Sequence, residues 1–176
     1  MKAKRIRLIL RSRYSDEYLF PLFRRIDKGT EGQWSGWEFL KGEIEKNEKS
    51  LDAVFREYEE ETGLNYKSIE NSIIKFNIQG NLIVRRGKNK GNIELIDTYF
   101  ANMPYVNPSL FILDKHEHDL VEYFDRHDVL IRLADNLKKN IIMDFIAFKY
   151  TLNKLGYYEH DFFIDNKLLT DVQSKL

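Results

Sequence analysis

The chain has no cysteine among its 176 residues. That absence excludes disulfides, thiolate metal sites and a cysteine nucleophile. It also fits a reducing compartment, so a cytoplasmic location is expected. Net charge is missing too, since 28 lysines and arginines balance 28 aspartates and glutamates. The overall balance therefore points to neither a nucleic acid nor a membrane surface, although local patches stay open. The longest apolar stretches, IRLIL and NIIMDFIAF, are short or broken by charge, so no bilayer span and no membrane partner are expected. The opening MKAKRIRLILRSR has basic residues on both sides of its apolar run and no small-residue cleavage site. It is expected to be a first strand and not a signal peptide. Repeats, low-complexity tracts and a clear domain linker are also lacking.

What is present builds a core. A hydrophobic content of 43% with 14% aromatic residues excludes disorder and suffices for one folded domain. Ile6, Leu8 and Leu10 alternate with Arg5, Arg7 and Ile9, which predicts a half-buried strand. Residues 18–26 (YLFPLFRRI) form a second apolar run, and Pro21 assigns it to an edge or a bulge. A polar loop over 27–36 leads into WEFLKGEIE. Hydrophobic spacing predicts a helix from Ser50 to Thr62, capped by Ser50 and stopped by Gly63. Strands are expected at 72–78, 81–86 and 93–102, with GKNKG as the hairpin loop between the last two. Residues 103–119 read as a long irregular connection, which favours a functional role. A short strand at 120–124 follows, then a helix opened by Asp125 with Asp128 in a capping arrangement, then a helix over 138–155 ending at Gly156. The expected division is one domain over 1–156 and a C-terminal extension over 157–176 that packs on it, mediates a homodimer or shapes a substrate entrance. Strands interrupted by one helix and closed by terminal helices predict an α/β (α+β) fold with a mixed sheet and helices on its faces.

The helix at 50–62 carries the chemistry. On a helical wheel Leu51, Val54, Phe55 and Tyr58 share one stripe, the expected buried face. Glu57, Glu60 and Glu61 fall together on a neighbouring face, while Glu59 points elsewhere. Like charges at these spacings destabilise a helix by about 0.2–0.5 kcal/mol per pair. Acid near a helix C-terminus adds an opposing dipole term of roughly 0.3–1 kcal/mol per charge. A hard divalent cation would relieve both, because carboxylate oxygens on one face are what magnesium or manganese coordinates. A merely solvated acidic helix is the alternative on these residues alone.

The spacing extends beyond the helix. Gly42 is followed by Glu48, then Arg56-Glu57, Glu60-Glu61 and Gly63-Leu64, in GEIEKNEKSLDAVFREYEEETGL. This resembles the Nudix box of the Nudix hydrolase superfamily, with every fixed Gly, Glu and Arg filled. Tyr58 stands where the family usually has an aliphatic residue. The lead-in WEFLKG is similar to the family's tryptophan-x-phenylalanine-proline-lysine-glycine approach, with Leu40 in place of proline.

The resemblance implies a Nudix-type α/β/α sandwich and a metal-dependent pyrophosphohydrolase that splits a nucleoside diphosphate linked to another moiety. It implies Mg²⁺, or Mn²⁺ in its place, held by Glu57, Glu60, Glu61 and the backbone carbonyl near Gly42. Arg56 and Glu48 would form a supporting pair, and one carboxylate, Glu60 and Glu61 included, would take the proton from water. Glu117, on a loop before the last strand, is the candidate extra ligand or general base, with an exposed loop acid as the alternative. His116 and His118 beside it are candidates for phosphate contact, with solvated loop histidines as the expected alternative. Arg24, Arg25 and Lys41 are the candidate substrate-binding residues, with Arg85 and Arg86 a second basic pair; ordinary surface charge is the alternative for the arginines. Trp34, Trp37, Tyr99, Phe100 and Tyr105 are candidates for base stacking, although with so many aromatics most are expected in the core. The lead-in leans to dinucleoside polyphosphates such as diadenosine tetraphosphate. RNA 5′ ends, capped or triphosphorylated, are the alternative, followed by nucleoside triphosphates or ADP-ribose. A non-catalytic nucleotide-binding module is a further alternative, and it would be expected to have lost box carboxylates.

Overall fold

The computed structural model describes residues 3–26, 35–83, 93–135 and 142–157. Residues 27–34 of the loop expected over 27–36, the hairpin loop GKNKG, Trp34, Arg85, Arg86 and the extension from 158 onward lie outside the described residues, whereas Ser35 and Gly36 are in a strand.

Seven strands are described: β1 (Arg5–Tyr14), β2 (Glu17–Ile26), β3 (Ser35–Glu38), β4 (Leu40–Glu43), β5 (Ile74–Ile83), β6 (Ile93–Met103) and β7 (His118–Phe124). Three helices accompany them: α1 (Ser50–Thr62), α2 (Arg126–Asp135) and α3 (Ile142–Lys154). The strand order is β3-β2-β1-β6-β5, with β4 paired to β1 and β7 to β2. Only β1 and β6 run parallel among the described pairs, so the sheet is mixed. One edge of β1 is shared: residues 5–8 pair with β4, and residues 12–14 pair with β2.

β1 is a central strand, which corrects the half-buried expectation. Ile6, Leu8 and Leu10 pack with Val54 and Tyr58 of α1, while Ile9 packs with Leu130 of α2 and Phe148 of α3. Helices therefore cover both faces, the arrangement that buries a strand on two sides. Arg7, on the α3 face, is itself 1% exposed. Its Nε donates to Asp144 at 2.7 Å and its Nη1 to Thr98 at 3.1 Å. A charge reaches this depth because a carboxylate is buried with it.

Other elements differ in detail. The two strands expected at 72–78 and 81–86 are one strand, β5, whose pairing with β6 shifts register between Phe76 and Gln79. Pro21 lies inside β2 and not at a sheet edge. Residues 17–19 pair with β1 and 23–26 with β3, so Pro21 falls in the interval with no ladder partner on that side. Ser50 begins α1 without capping it; its hydroxyl donates to Asp97 at 2.8 Å and accepts from Tyr99. Asp125 does cap α2, accepting from the amides of His127 and Asp128, both at 2.8 Å. The connection after β6 is irregular up to His118, apart from one 3-10 turn at Pro108–Leu110. Among the described residues no helix is long and apolar enough to cross a membrane.

The buried Arg7–Asp144 pair supplies a stability test. Asp144→Ala leaves the buried Arg7 without a carboxylate partner and removes one of the two from Lys41, and it is expected to cost about 3–5 kcal/mol in urea unfolding. Arg13→Ala, at an exposed pair with Asp16, is expected to cost under about 1 kcal/mol. Equal effects would contradict the assignment of a buried anchor.

Candidate active site

α1 is set by what precedes it. β4 ends at Glu43, and the chain turns into the helix through Asn47, whose φ of 70° is left-handed. Asparagine tolerates that conformation better than most residues. At the other end Gly63 has φ 69° and its amide donates to Glu59 O, closing the helix as expected. A Cβ on Gly63 would also lie 2.6 Å from Ile112 Cβ.

The buried face of α1 is rotated from the expected stripe. Ala53, Val54, Tyr58, Glu61 and Thr62 are buried, and Leu51 is exposed. Glu61 continues the stripe of Val54 and Tyr58 at helical spacing, so its carboxylate is carried inward. The three candidate ligands therefore fan out: Glu61 is 5% exposed, Glu57 largely buried, and the Glu60 side chain 58% exposed. Glu59 stands apart and accepts from the Tyr66 amide at 3.2 Å.

Arg56 ties this group to the preceding loop. Its Nε and Nη2 donate to the two oxygens of Glu48 at 2.9 and 3.1 Å, and Nη2 also donates to Glu43 O at 2.8 Å. Its Nη1 donates to Glu57 at 2.7 Å and to Glu60 at 2.9 Å. The guanidinium holds Glu48 below the usual carboxylate range, and Glu48, followed by Glu57 and Glu60, raises Arg56 in return. Glu48 in turn accepts from the Glu45 amide at 2.9 Å. A Cβ on Gly42 would sit 1.9 Å from Glu57 Cδ, so glycine there makes room for that carboxylate.

Burial pushes the Glu61 carboxyl up to about 9, helped by Glu57, Glu117 and Glu38. Burial also raises Glu57, with Glu60 and Glu117 adding to it against Arg56. Glu117 is half-exposed and thus belongs electrostatically to the same group, with Arg25 Nη2 4.0 Å away. Arg25 also donates to Glu38 at 3.2 Å. Arg24 sits one residue along, on the opposite sheet face, and pairs with both oxygens of Asp119 at 2.8 Å. Lys41, expected as a substrate contact, is instead a nearly buried counter-ion. It lies 3.0 Å from Glu38 and 2.6 Å from Asp144, which hold it away from solvent.

His118 corrects a further expectation. It is 2% exposed, with Nε2 3.3 Å from Glu38 Oε1 and Nδ1 3.6 Å from Glu61 Oε2. The pairing of β2 with β7 passes over Asp119, so Arg24 opposes Leu120 and Arg25 opposes His118. This bulge re-aims His118 inward. Strand alternation alone could not have found it. Glu38 offered a fainter signal, as a lone acid between Trp37 and Phe39.

Among the described residues no three acid or histidine side chains converge closely enough to enclose a cation as they stand. In this arrangement Arg56 Nη1 stands between Glu57 and Glu60. The donor set nonetheless fits a hard divalent ion: it is made of carboxylate oxygens, and Glu61 Oε2 is buried with no hydrogen-bond partner.

Two tests follow from this geometry. The displaced Glu57 carboxylate is the end of a flexible side chain, so Gly42→Ala is expected to fold while losing the thermal stabilisation that Mn²⁺ gives wild type. Unchanged Mn²⁺ stabilisation would contradict the role of Gly42. For Glu61, the folded carboxyl lies above its ordinary value of 4.5, so the folded state keeps a proton that the unfolded chain has lost. The Glu61 contribution to stability without metal is thus fully present below about pH 4.5 and is lost as pH rises toward about 9. Melting temperature against pH in chelator reads this slope, and Glu61→Gln is expected to flatten it; parallel curves would contradict it.

The comparisons agree with the fold. The family model described as NUDIX domain matches residues 7–145. No curated protein matches the chain in sequence. Among solved structures, a C. elegans Ap4A hydrolase in a binary complex is similar at TM-score 0.60 and 15% identity, covering 88% of this chain and 100% of that one. A Nudix hydrolase from Listeria monocytogenes aligns at TM-score 0.64 and 16% identity, over 88% and 95%. The E. coli dihydroneopterin triphosphate pyrophosphohydrolase aligns at TM-score 0.64 and 12% identity, over 85% and 97%. With the family model spanning most of the chain and the box glutamates gathered around Arg56, the chain belongs to the Nudix hydrolase family.

Proposed function

We propose that this hydrolase of phosphoric anhydride bonds is a Mg²⁺- or Mn²⁺-dependent pyrophosphohydrolase of nucleotide derivatives, with dinucleoside polyphosphates as the favoured substrates. The observation that carries the reading is the set of Glu57, Glu60 and Glu61 at one helix end, with Glu61 Oε2 buried and lacking a partner. Family membership supports the hydrolytic chemistry. The lead-in WEFLKG supports the choice of substrate.

Glu57, Glu60, Glu61 and the Gly42 carbonyl would hold the cation. When bound, a divalent ion neutralises charge on pyrophosphate oxygens and acidifies a coordinated water. The residues of the chain supply the rest. Arg56 keeps Glu57 and Glu60 near one another despite their repulsion, and Glu48 anchors Arg56 to the loop. Glu117 is half-exposed beside the group, in a position to take a proton from water. Arg25 is also half-exposed, and its guanidinium suits a substrate phosphate oxygen. Arg24 is committed to Asp119 on the other sheet face and contributes less.

The test is a panel of diadenosine tetraphosphate, ADP-ribose, nucleoside triphosphates and a capped RNA oligonucleotide, with Mg²⁺, with Mn²⁺ and with chelator. The expected result is metal-dependent release of mononucleotide, fastest from diadenosine tetraphosphate and abolished by chelator. Preference for the capped oligonucleotide would overturn the substrate assignment. Nucleotide binding with no turnover on any substrate would favour a regulatory module. Glu60→Gln and Glu61→Gln are each expected to cut turnover on the order of 10²-fold or more while retaining the fold, and wild-type rates in both would remove the ligand assignment.

A further inference from the structure

A line of buried charged side chains runs from α3 to α1, past the point where the chain leaves β3 for β4. Arg7 meets Asp144 at 2.7 Å, and Asp144 meets Lys41 at 2.6 Å. Lys41 meets Glu38 at 3.0 Å, and Glu38 meets His118 Nε2 at 3.3 Å. Burial alone would raise the Glu38 carboxyl, but Lys41, His118 and Arg25 outweigh it and hold it well below the usual range. Glu38 is therefore a fixed anion, held by Arg25 and Lys41 from two directions.

The line ends on two unsatisfied atoms. His118 Nδ1 and Glu61 Oε2 are both buried without a hydrogen-bond partner, and they face each other at 3.6 Å. That distance is too long for a hydrogen bond. Leaving two such groups unpaired in the interior is costly, so a small approach that joins them is favoured. The imidazole has little freedom to do anything else. Its Nε2 is engaged by Glu38, the Phe23 ring lies 5.7 Å away between centroids, and its backbone amide donates to Asp114 O at 2.8 Å.

The geometry points to His118 as a positioning residue for Glu61: Glu38 orients the imidazole by accepting from Nε2–H, and Nδ1–H donates to one oxygen of the Glu61 carboxylate so that the other is presented to the cation. This rests on Glu61 being a ligand, as proposed above. A histidine buried only to fill space has no need of an anion fixed on one nitrogen and an unpaired carboxylate oxygen facing the other. Carboxylates that fix ring orientation through the far nitrogen of an imidazole are a recurrent way of tuning metal sites from outside the ligand set.

Two near-isosteres separate the nitrogens. His118→Asn retains a polar atom near the Nδ1 position and loses the reach to Glu38, whereas His118→Gln retains one near Nε2 and loses the contact with Glu61. Mn²⁺ affinity of the substrate-free protein is measured by electron paramagnetic resonance of free Mn²⁺, with circular dichroism confirming the fold. Gln is expected to weaken binding about tenfold or more, and Asn by no more than about threefold. Equal losses in both variants, or no loss in Gln, would overturn the positioning role. Failure of wild type to bind Mn²⁺ would remove the ligand reading and this inference with it, whereas wild-type binding with unaffected Gln would remove this inference alone. A measurement on wild type needs no variant to fold. In ¹⁵N NMR the His118 Nδ1 resonance is expected to move on Mg²⁺ addition while Nε2 stays nearly in place, and an unmoved Nδ1 would overturn the proposal.

Discussion

The carboxylates of Glu57, Glu60 and Glu61 repel one another at the end of a helix that already presents partial negative charge, and the guanidinium of Arg56 is what holds the first two together. It makes hydrogen bonds to Glu48, Glu57, Glu60 and the Glu43 carbonyl. Much of the surrounding backbone follows from that arrangement. Gly42 has no side chain because Glu57 occupies the space. The left-handed Asn47 lies in the turn that carries Glu48 toward Arg56. Glu61 lies beyond the reach of these bonds, and its burial and raised proton affinity mark where the compensation is incomplete.

The sheet delivers these parts to one place. β1 gives up one edge to β4 at its start and to β2 at its end, so the chain passes from the β2 side to the β1 side between Glu38 and Leu40. Glu38 at that passage touches Arg25 of β2, His118 of β7 and Lys41 of β4. One buried carboxylate thus ties three strands together. The same packing that excludes water from Glu61 joins it, through His118 and Glu38, to the Asp144 anchor on α3.

Much of this was legible in the sequence, because the informative signals were local. The spacing of Gly42, Glu48, Arg56, Glu57, Glu60, Glu61 and Gly63 marked the loop, the helix and its left-handed stop, and each lies within one turn or one loop of its partner. Signals that depend on distant neighbours were not legible. β1 looked half-buried because nothing in IRLIL says that α2 and α3 cover its second face. Helical spacing alone puts Leu51 on the buried stripe of α1, whereas packing against the sheet turns Glu61 inward. Lys41 reads as a substrate contact because nothing near it in sequence says that Asp144, about a hundred residues on, closes over it beside Glu38. His118 needed a bulge at Asp119 that only strand pairing defines.

The central claim is that the box glutamates surround a cation. An anomalous difference map from a crystal of the protein soaked in Mn²⁺ tests it most directly. The account predicts a manganese peak beside the carboxylates of Glu57, Glu60 and Glu61. Full occupancy at another position, or no peak at Mn²⁺ concentrations that saturate the protein in solution, would contradict it.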